Sequence, residues 1–184
     1  MADTKITDLT ELTGVAATDL MVVVDDPGGS PVTKKATLAN AFAAFVGYGD
    51  LYVTGGSATQ ALTADTPAKL ALFTADGPSS NSTPAHAADS ITVGVSGVWG
   101  ISFQASMTAS VNNTVLTFAL ALGGVAQAIK CQRKIGTGAD VGSCSFTGHL
   151  SLTAADVLTI LVTGSMSGNL ILTEAQLSVR YLGA

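Results

Sequence analysis

The sequence predicts a mainly β protein, an antiparallel jelly-roll sandwich preceded by a small hairpin-plus-helix module. Three observations carry this. Short runs of strictly alternating character recur from residue 51 to the end: Ile101, Phe103, Ala105 and Met107 fall on one side of a run whose other side is Ser102, Gln104 and Ser106, the period-two pattern of a half-buried strand. Turn residues separate these runs, and about seven to nine of them fit in the roughly 130 residues available, the count of a jelly roll. Finally, the composition changes near residue 50. Residues 1–50 hold seven acids and three bases, whereas residues 51–184 hold six acids and five bases in nearly three times the length. The expected division is an N-terminal module over 1–50 and a β-sandwich over 51–184.

In chain order, residues 5–12 space Ile6, Leu9 and Leu12 three apart. The segment is too short to hold a helix alone, so these side chains are expected to dock on something. Residues 20–24 are an apolar, β-branched run, Asp25-Asp26-Pro27-Gly28-Gly29-Ser30 is a turn by composition, and residues 32–35 return as the partner strand. Thr37 reads as the N-cap of a helix over 38–46. Leu38, Phe42 and Phe45 then share one face, and Gly47 fits the stop position. About 45 residues with so few large apolar groups do not build their own core. Ile6, Leu9, Leu12, Leu38, Phe42 and Phe45 are therefore the expected attachment surface.

Beyond residue 50, residues 51–54 read as a short strand and 60–73 hold another. Residues 79–84, rich in Ser, Asn, Thr and Pro, read as a loop. Strands follow over 91–95 and 99–107, then a turn at 111–114 and a strand at 116–122. Gly123-Gly124 marks a hairpin into 125–133, and runs over 141–152, 157–163 and 169–182 complete the set. In the last run Leu177, Val179 and Tyr181 alternate with Ser178 and Arg180. Such alternation is expected to leave a second apolar face, with Leu177, Val179 and Tyr181 at the core of a trimer.

Charge narrows the function. Eight basic against thirteen acidic residues give a net charge of −5 and a pI near 4.6, which argues against a nucleic-acid binder. The 47% hydrophobic content excludes disorder. Charged residues are only 11% of the chain, against about 25% on average. From residue 77 to 129 the single formally charged side chain is Asp89, so subunit contacts that bury further surface are expected. The most apolar stretch, residues 116–129, is interrupted by Thr117, Gly123, Gly124 and Gln127 and falls short of the ~20 residues of a membrane helix. Asp3, Lys5, Asp8 and Glu11 interrupt the start, where a secretory signal would lie. Synthesis in the cytoplasm is expected.

No constellation carries chemistry. Cys131 and Cys144 form no paired motif and His86 and His149 are the only histidines, so neither a metal nor a cofactor is expected. If the runs flanking residues 136–139 pair as a hairpin, the two thiols face each other. A disulfide is then open geometrically, while free buried thiols are the expected state in a cytoplasmic product. The glycines of residues 136–142 precede no helix pattern and miss the dinucleotide spacing. In Gly164-Ser165-Met166-Ser167-Gly168 a Met stands where a hydrolase elbow needs Ser. His86 with Asp89 is a triad fragment that abundant serines complete by chance, and Asp25 with Asp26 is a poor Ca²⁺ ligand set. No catalytic residue is expected, and the protein is not read as an enzyme. Lys130, Arg133 and Lys134 form the one basic cluster, a grip for an acidic partner or glycan or, more plainly, a solvated strand edge that lysines guard against aggregation. Asn81-Ser82-Thr83 and Asn112-Asn113-Thr114 match the glycosylation pattern by chance.

The segments Lys5-Ile6-Thr7-Asp8-Leu9-Thr10-Glu11-Leu12, Asp19-Leu20-Met21-Val22-Val23-Val24-Asp25 and Val32-Thr33-Lys34-Lys35-Ala36-Thr37-Leu38-Ala39 resemble the N-terminal part of bacteriophage fibre and virion appendage proteins, in which such a segment attaches an appendage to the particle. The Gly100-Ile101-Ser102-Phe103 strand, the final Leu177-Ser178-Val179-Arg180-Tyr181-Leu182 strand and the abundance of small residues resemble the TNF/C1q-like jelly rolls that trimerise in phage head fibres, decoration proteins and fibre tips. The chain departs from the C1q type in having few aromatics. The resemblance implies a homotrimeric capsid decoration or head-fibre protein on the outer surface of a virion, held to the major capsid protein or another virion protein through residues 1–50. A short tail fibre that binds a host surface glycan is the alternative. One Trp and three Tyr are poor stock for sugar stacking, and 184 residues leave no shaft.

Overall fold

The computed structural model describes residues 16–25, 32–43, 45–56, 58–136 and 140–184. The chain separates into two units, Met1–Ala44 and Phe45–Ala184. The boundary lies before the composition change at residue 50, because Tyr48, Gly49 and Asp50 already belong to the first strand of the larger unit. Ile6, Leu9, Leu12 and the turn at residues 26–30 lie outside the described residues, as do residues 137–139.

In the smaller unit, strands β1 (Leu20–Asp25) and β2 (Val32–Thr37) pair antiparallel from Leu20 opposite Thr37 to Asp25 opposite Val32. Ahead of β1, Asp19 folds back: its carboxylate accepts from the Ala16 amide at 2.8 Å, a side-chain turn that starts the strand. Helix α1 (Leu38–Ala43) follows directly and has only six residues. The expected helix to Val46 is not formed. The Val46 carbonyl instead accepts from Ser80 Oγ and Asn81 Nδ2, and the Gly47 carbonyl accepts from the Tyr181 amide at 2.7 Å. These bonds belong to the larger unit and take the chain away from the helical course, so Phe45 is not on the helix with Phe42.

The larger unit is a sandwich of two antiparallel sheets. Its strands are β3 (Tyr48–Val53), β4 (Ala58–Leu62), β5 (Ala68–Lys69), β6 (Ala75–Ser80), β7 (Ser82–Ala85), β8 (Ser90–Val93), β9 (Gly97–Ala109), β10 (Val115–Leu122), β11 (Val125–Lys134), β12 (Gly142–Leu152), β13 (Val157–Gly164) and β14 (Gly168–Gly183). The first sheet has the order β11-β10-β13-β8-β7, with β5 on β13. The second has the order β12-β9-β14-β3-β6, with β4 on β14. From β8 onward the chain crosses between sheets at each connection except the β10–β11 hairpin, turned by Gly123 and Gly124 at positive φ. These crossings build the jelly roll. Because β3 and β14 are neighbours, with Tyr48 opposite Arg180, the first and last strands of the sandwich meet at one end.

The core lies between the sheets. Trp99, Ile101, Phe103, Met107, Leu116, Phe118, Leu120 and Ile160 are fully buried, drawn from the alternating positions the sequence marks. Phe103 in the second sheet meets Phe118 in the first at 5.4 Å between ring centroids, and stands 5.3 Å from Phe146 beside it. Trp99 packs edge-on against Tyr181 at 5.4 Å and donates its indole N–H to the Val95 carbonyl.

Both long seams of the sandwich are closed. β11 and β12 do not pair as a hairpin; each is the edge of a different sheet. Cys131 and Cys144, 6.0 Å apart at Cα, are joined there by a disulfide that ties sheet to sheet, so the expected free thiols are corrected. On the other side, residues 79–84 are not a loop. β6 and β7 run one into the next through Asn81 alone, at φ 47°, and this corner carries the chain from the edge of one sheet to the edge of the other.

Candidate functional site

The outward face of the second sheet is the most organised surface of the sandwich. Alternation that buries Ile101, Phe103 and Ala105 turns Gly100, Ser102, Gln104 and Ser106 outward, and the same holds on each neighbouring strand. Register aligns these residues in rows across the sheet. One row runs Ser145, Gln104, Gln176, Tyr52; the next towards the termini runs Thr147, Ser102, Ser178, Asp50; the row beyond runs His149, Gly100, Arg180, Tyr48. Along these rows the outward face is polar, not the expected second apolar face. Leu177 and Val179, at 0% and 2% exposure, point into the chain's own core, and Tyr181 is half-buried against Trp99. None of the three is free for the expected contact at the core of a trimer; the residues of β14 that face outward beside them are Gln176, Ser178 and Arg180.

The middle of this face sinks into a trough of about 570 Å³, continuous through Gln104, Ser145 and Gln176 with a smaller recess of about 240 Å³. Small buried side chains make the floor: Ala105 lies opposite Ala175. One end is shaped by a β-bulge in β14 between Leu172 and Glu174, a device that bends a strand and re-aims its side chains. The loop after β3 fastens the bulge, the Gly55 amide donating to Glu174 Oε1 at 3.0 Å and the Gly56 amide to the Thr173 carbonyl at 3.1 Å. Thr173 Oγ1 in turn donates to the Ser106 carbonyl. Across the trough the amides form a relay: Gln104 Nε2 donates to Gln176 Oε1 at 3.0 Å, and Gln176 Nε2 donates to Asp50 Oδ1 at 3.4 Å. Partial burial, then the adjacent Asp50 carboxylate, pushes the Tyr52 hydroxyl above its ordinary pKa, so at neutral pH Tyr52 is a neutral hydroxyl.

Towards the termini the same face turns apolar. Tyr48, Val46 and Leu182 are exposed, and the bond from the Tyr181 amide to the Gly47 carbonyl continues the β3–β14 ladder one step beyond Tyr48 and Arg180. Phe45, 67% exposed, precedes them. In the smaller unit Phe42 is 59% exposed and Leu38 is partly buried.

The other candidates resolve differently. His86 pairs with Asp76, not Asp89: its Nδ1 is 2.9 Å from Asp76 Oδ2 and its backbone amide donates to Asp76 Oδ1. These bonds hold the Asp76 carboxyl below its ordinary pKa, the His86 side chain contributing most. Asp89 accepts from the Phe73 amide, and burial pushes its pKa up. The basic cluster is divided. Arg133 reaches Asp140 at 3.8 Å, while Lys130 and Lys134, opposite Ala119 and Val115, stand on the outward face of the first sheet. Among the described residues no group of three or more His, Cys, Asp or Glu gathers in a metal-binding arrangement, and no helix is long and apolar enough to cross a membrane.

No family model matches the chain, and no curated protein matches it in sequence. Its fold does match solved structures. Eiger TNF from S. frugiperda superposes with a TM-score of 0.53 at 15% identity, over 74% of this chain and 94% of that one. The globular domain of zebrafish complement 1qA protein gives 0.52 at 16%, over 72% and 94%. Murine APRIL gives 0.50 at 14%, over 73% and 99%. At these identities the likeness is one of fold, a TNF/C1q-like jelly roll.

Proposed function

We propose that this protein is a non-enzymatic structural subunit of a virion, a homotrimeric decoration or head-fibre protein that is anchored through residues 1–44 and exposes its sandwich on the outer surface. On this reading it is made in the host cytoplasm and joins the particle there. The observation that carries the trimer is the end of the second sheet where β3 begins and β14 finishes, at which Phe45, Val46, Tyr48 and Leu182 are each exposed. Exposed apolar side chains concentrated at one end of a sheet support a contact surface there. The anchoring role rests on the resemblance of the N-terminal segments to phage appendage proteins, and on the smaller unit being separate from the sandwich.

The test has two arms. Light scattering at micromolar concentration is expected to give about three times the 18.4 kDa chain mass, and Leu182→Asp to return it to a monomer. A chain beginning at Phe45 is expected to trimerise but to lose co-sedimentation with virions. A clean monomer in the first arm, or full particle binding by the shortened chain in the second, overturns the corresponding half.

A further inference from the structure

We infer that the trough on the outward face of the second sheet is a binding site for a short, neutral oligosaccharide. Its volume of about 570 Å³ is that of a small-ligand site, but its lining is unlike that of an apolar pocket. The side chains that rise from the sheet are two amides, a phenol and hydroxyls: Gln104, Gln176, Tyr52, Ser106, Ser143 and Ser145. The apolar residues beneath them, Val53, Ala105 and Ala175, are buried in the floor. Tyr52 is the one aromatic among the side chains that rise, and no aliphatic or arginine side chain rises beside it to complete the anchor cluster on which a protein interface depends. The trough lies over the face formed by β12, β9, β14 and β3, and β9, β14 and β3 are paired on both sides, so beneath most of it an incoming strand finds no unpaired ladder.

Charge selects among the remaining ligands. No lysine or arginine lines the trough, and Glu174 does, with Asp50 in the adjoining row. Phosphorylated, sulfated or carboxylated glycans meet repulsion and no cation. A neutral polyol meets donors and acceptors in alternation. The four side chains of the row Ser145, Gln104, Gln176 and Tyr52 stand on successive strands, a spacing of about 4.8 Å that carries the row over roughly 14 Å, the reach of a short oligosaccharide.

The site is also preorganised. The relay from Gln104 through Gln176 to Asp50 fixes both amide orientations before any ligand arrives, and the Gly55 amide fixes Glu174. The Tyr52 ring lies over Gly77, where a Cβ would stand 2.5 Å from Tyr52 Cε2, so the glycine admits the ring to the rim of the trough. Holding polar groups in place in advance lowers the ordering cost of binding. The disulfide at Cys144, between Ser143 and Ser145, stiffens the remaining wall.

The experiment is saturation-transfer NMR on the full chain with a panel of trisaccharides, the neutral ones built from glucose, galactose, mannose or N-acetylglucosamine and the anionic ones sialylated or sulfated. At least one neutral trisaccharide is expected to receive saturation and the anionic ones none. Gln104→Ala is expected to weaken titrated affinity at least tenfold. Ser145→Arg, at an exposed position, fills the trough with a cation and is expected to abolish binding, with an unchanged thermal melt showing that the fold survives. Gln132→Ala, on the other sheet, is expected to change nothing. Silence across the neutral panel, preference for the anionic members, or binding indifferent to both trough variants overturns the inference. The inference is independent of virion placement and of trimer formation, which light scattering and co-sedimentation read separately.

Discussion

Thr114 has a side-chain oxygen that is buried and lacks a hydrogen-bond partner among the described residues. A buried hydroxyl in that state costs on the order of 1–3 kcal/mol. Thr114→Val keeps the shape and removes the group, and is expected to raise the free energy of unfolding by about 1 kcal/mol, read as a higher midpoint in a urea titration. The opposite result is expected at Phe118, fully buried against Phe103, where Phe118→Ala should cost about 3–5 kcal/mol. Which residues are inward was legible in the sequence, because a period of two has only two phases. What the inward set faces was not. Leu177 and Val179 read equally well as contacts with a second chain or with the opposite sheet, and only the fold assigns them to the latter. The trough was invisible for the same reason. Ser145, Gln104, Gln176 and Tyr52 come from four strands scattered between residues 52 and 176, and register alone aligns them.

Element boundaries follow hydrogen bonds that no local propensity announces. The stretch 38–46 is helical by pattern, yet acceptors at Val46 and Gly47 are claimed by Ser80, Asn81 and Tyr181, and the helix stops at Ala43. A chain beginning at Leu51 removes half of β3, between β14 and β6 in its sheet. It is expected to lose the cooperative melt that a chain beginning at Phe45 keeps, as circular dichroism would show. The 3-10 turn at His86–Ala88 offers a pH test. Asp76, which binds this turn twice, has its folded pKa depressed. Its contribution to stability is therefore complete above the unfolded value of about 3.9 and is lost as pH falls through the folded value. Asp76→Asn should lower the melting temperature at pH 6, and the difference from wild type should close as the pH is taken below 3. Asp89 carries the opposite sign, its folded pKa being raised, so it favours the folded state at low pH and loses that contribution as pH rises.

At the scale of the whole molecule the sequence separated a small module from a sandwich and indicated its architecture. It missed how the sheets are held together, because the crosslinked cysteines sit on strands that do not pair. Reducing the disulfide, or Cys131→Ser, releases a 13-residue separation and is expected to cost about 3 kcal/mol, on the order of 10 °C in melting temperature for a chain of this size. An unchanged melt in reductant would show that the seam needs no crosslink. The pairing of β3 with β14 has a further consequence. Since the sandwich begins and ends on neighbouring strands, its two chain ends leave from the same pole, and the turns after β9 and β13 lie at the other, where Ser110 and Ser165 hydroxyls accept from the Asn169 and Val115 amides. Any cargo appended after β14 is thus carried next to the chain that enters β3. A guest peptide spliced between Asn112 and Asn113, in the turn before β10, is held out at the distal pole, which makes that turn the grafting point for a display scaffold and the C-terminus the wrong one.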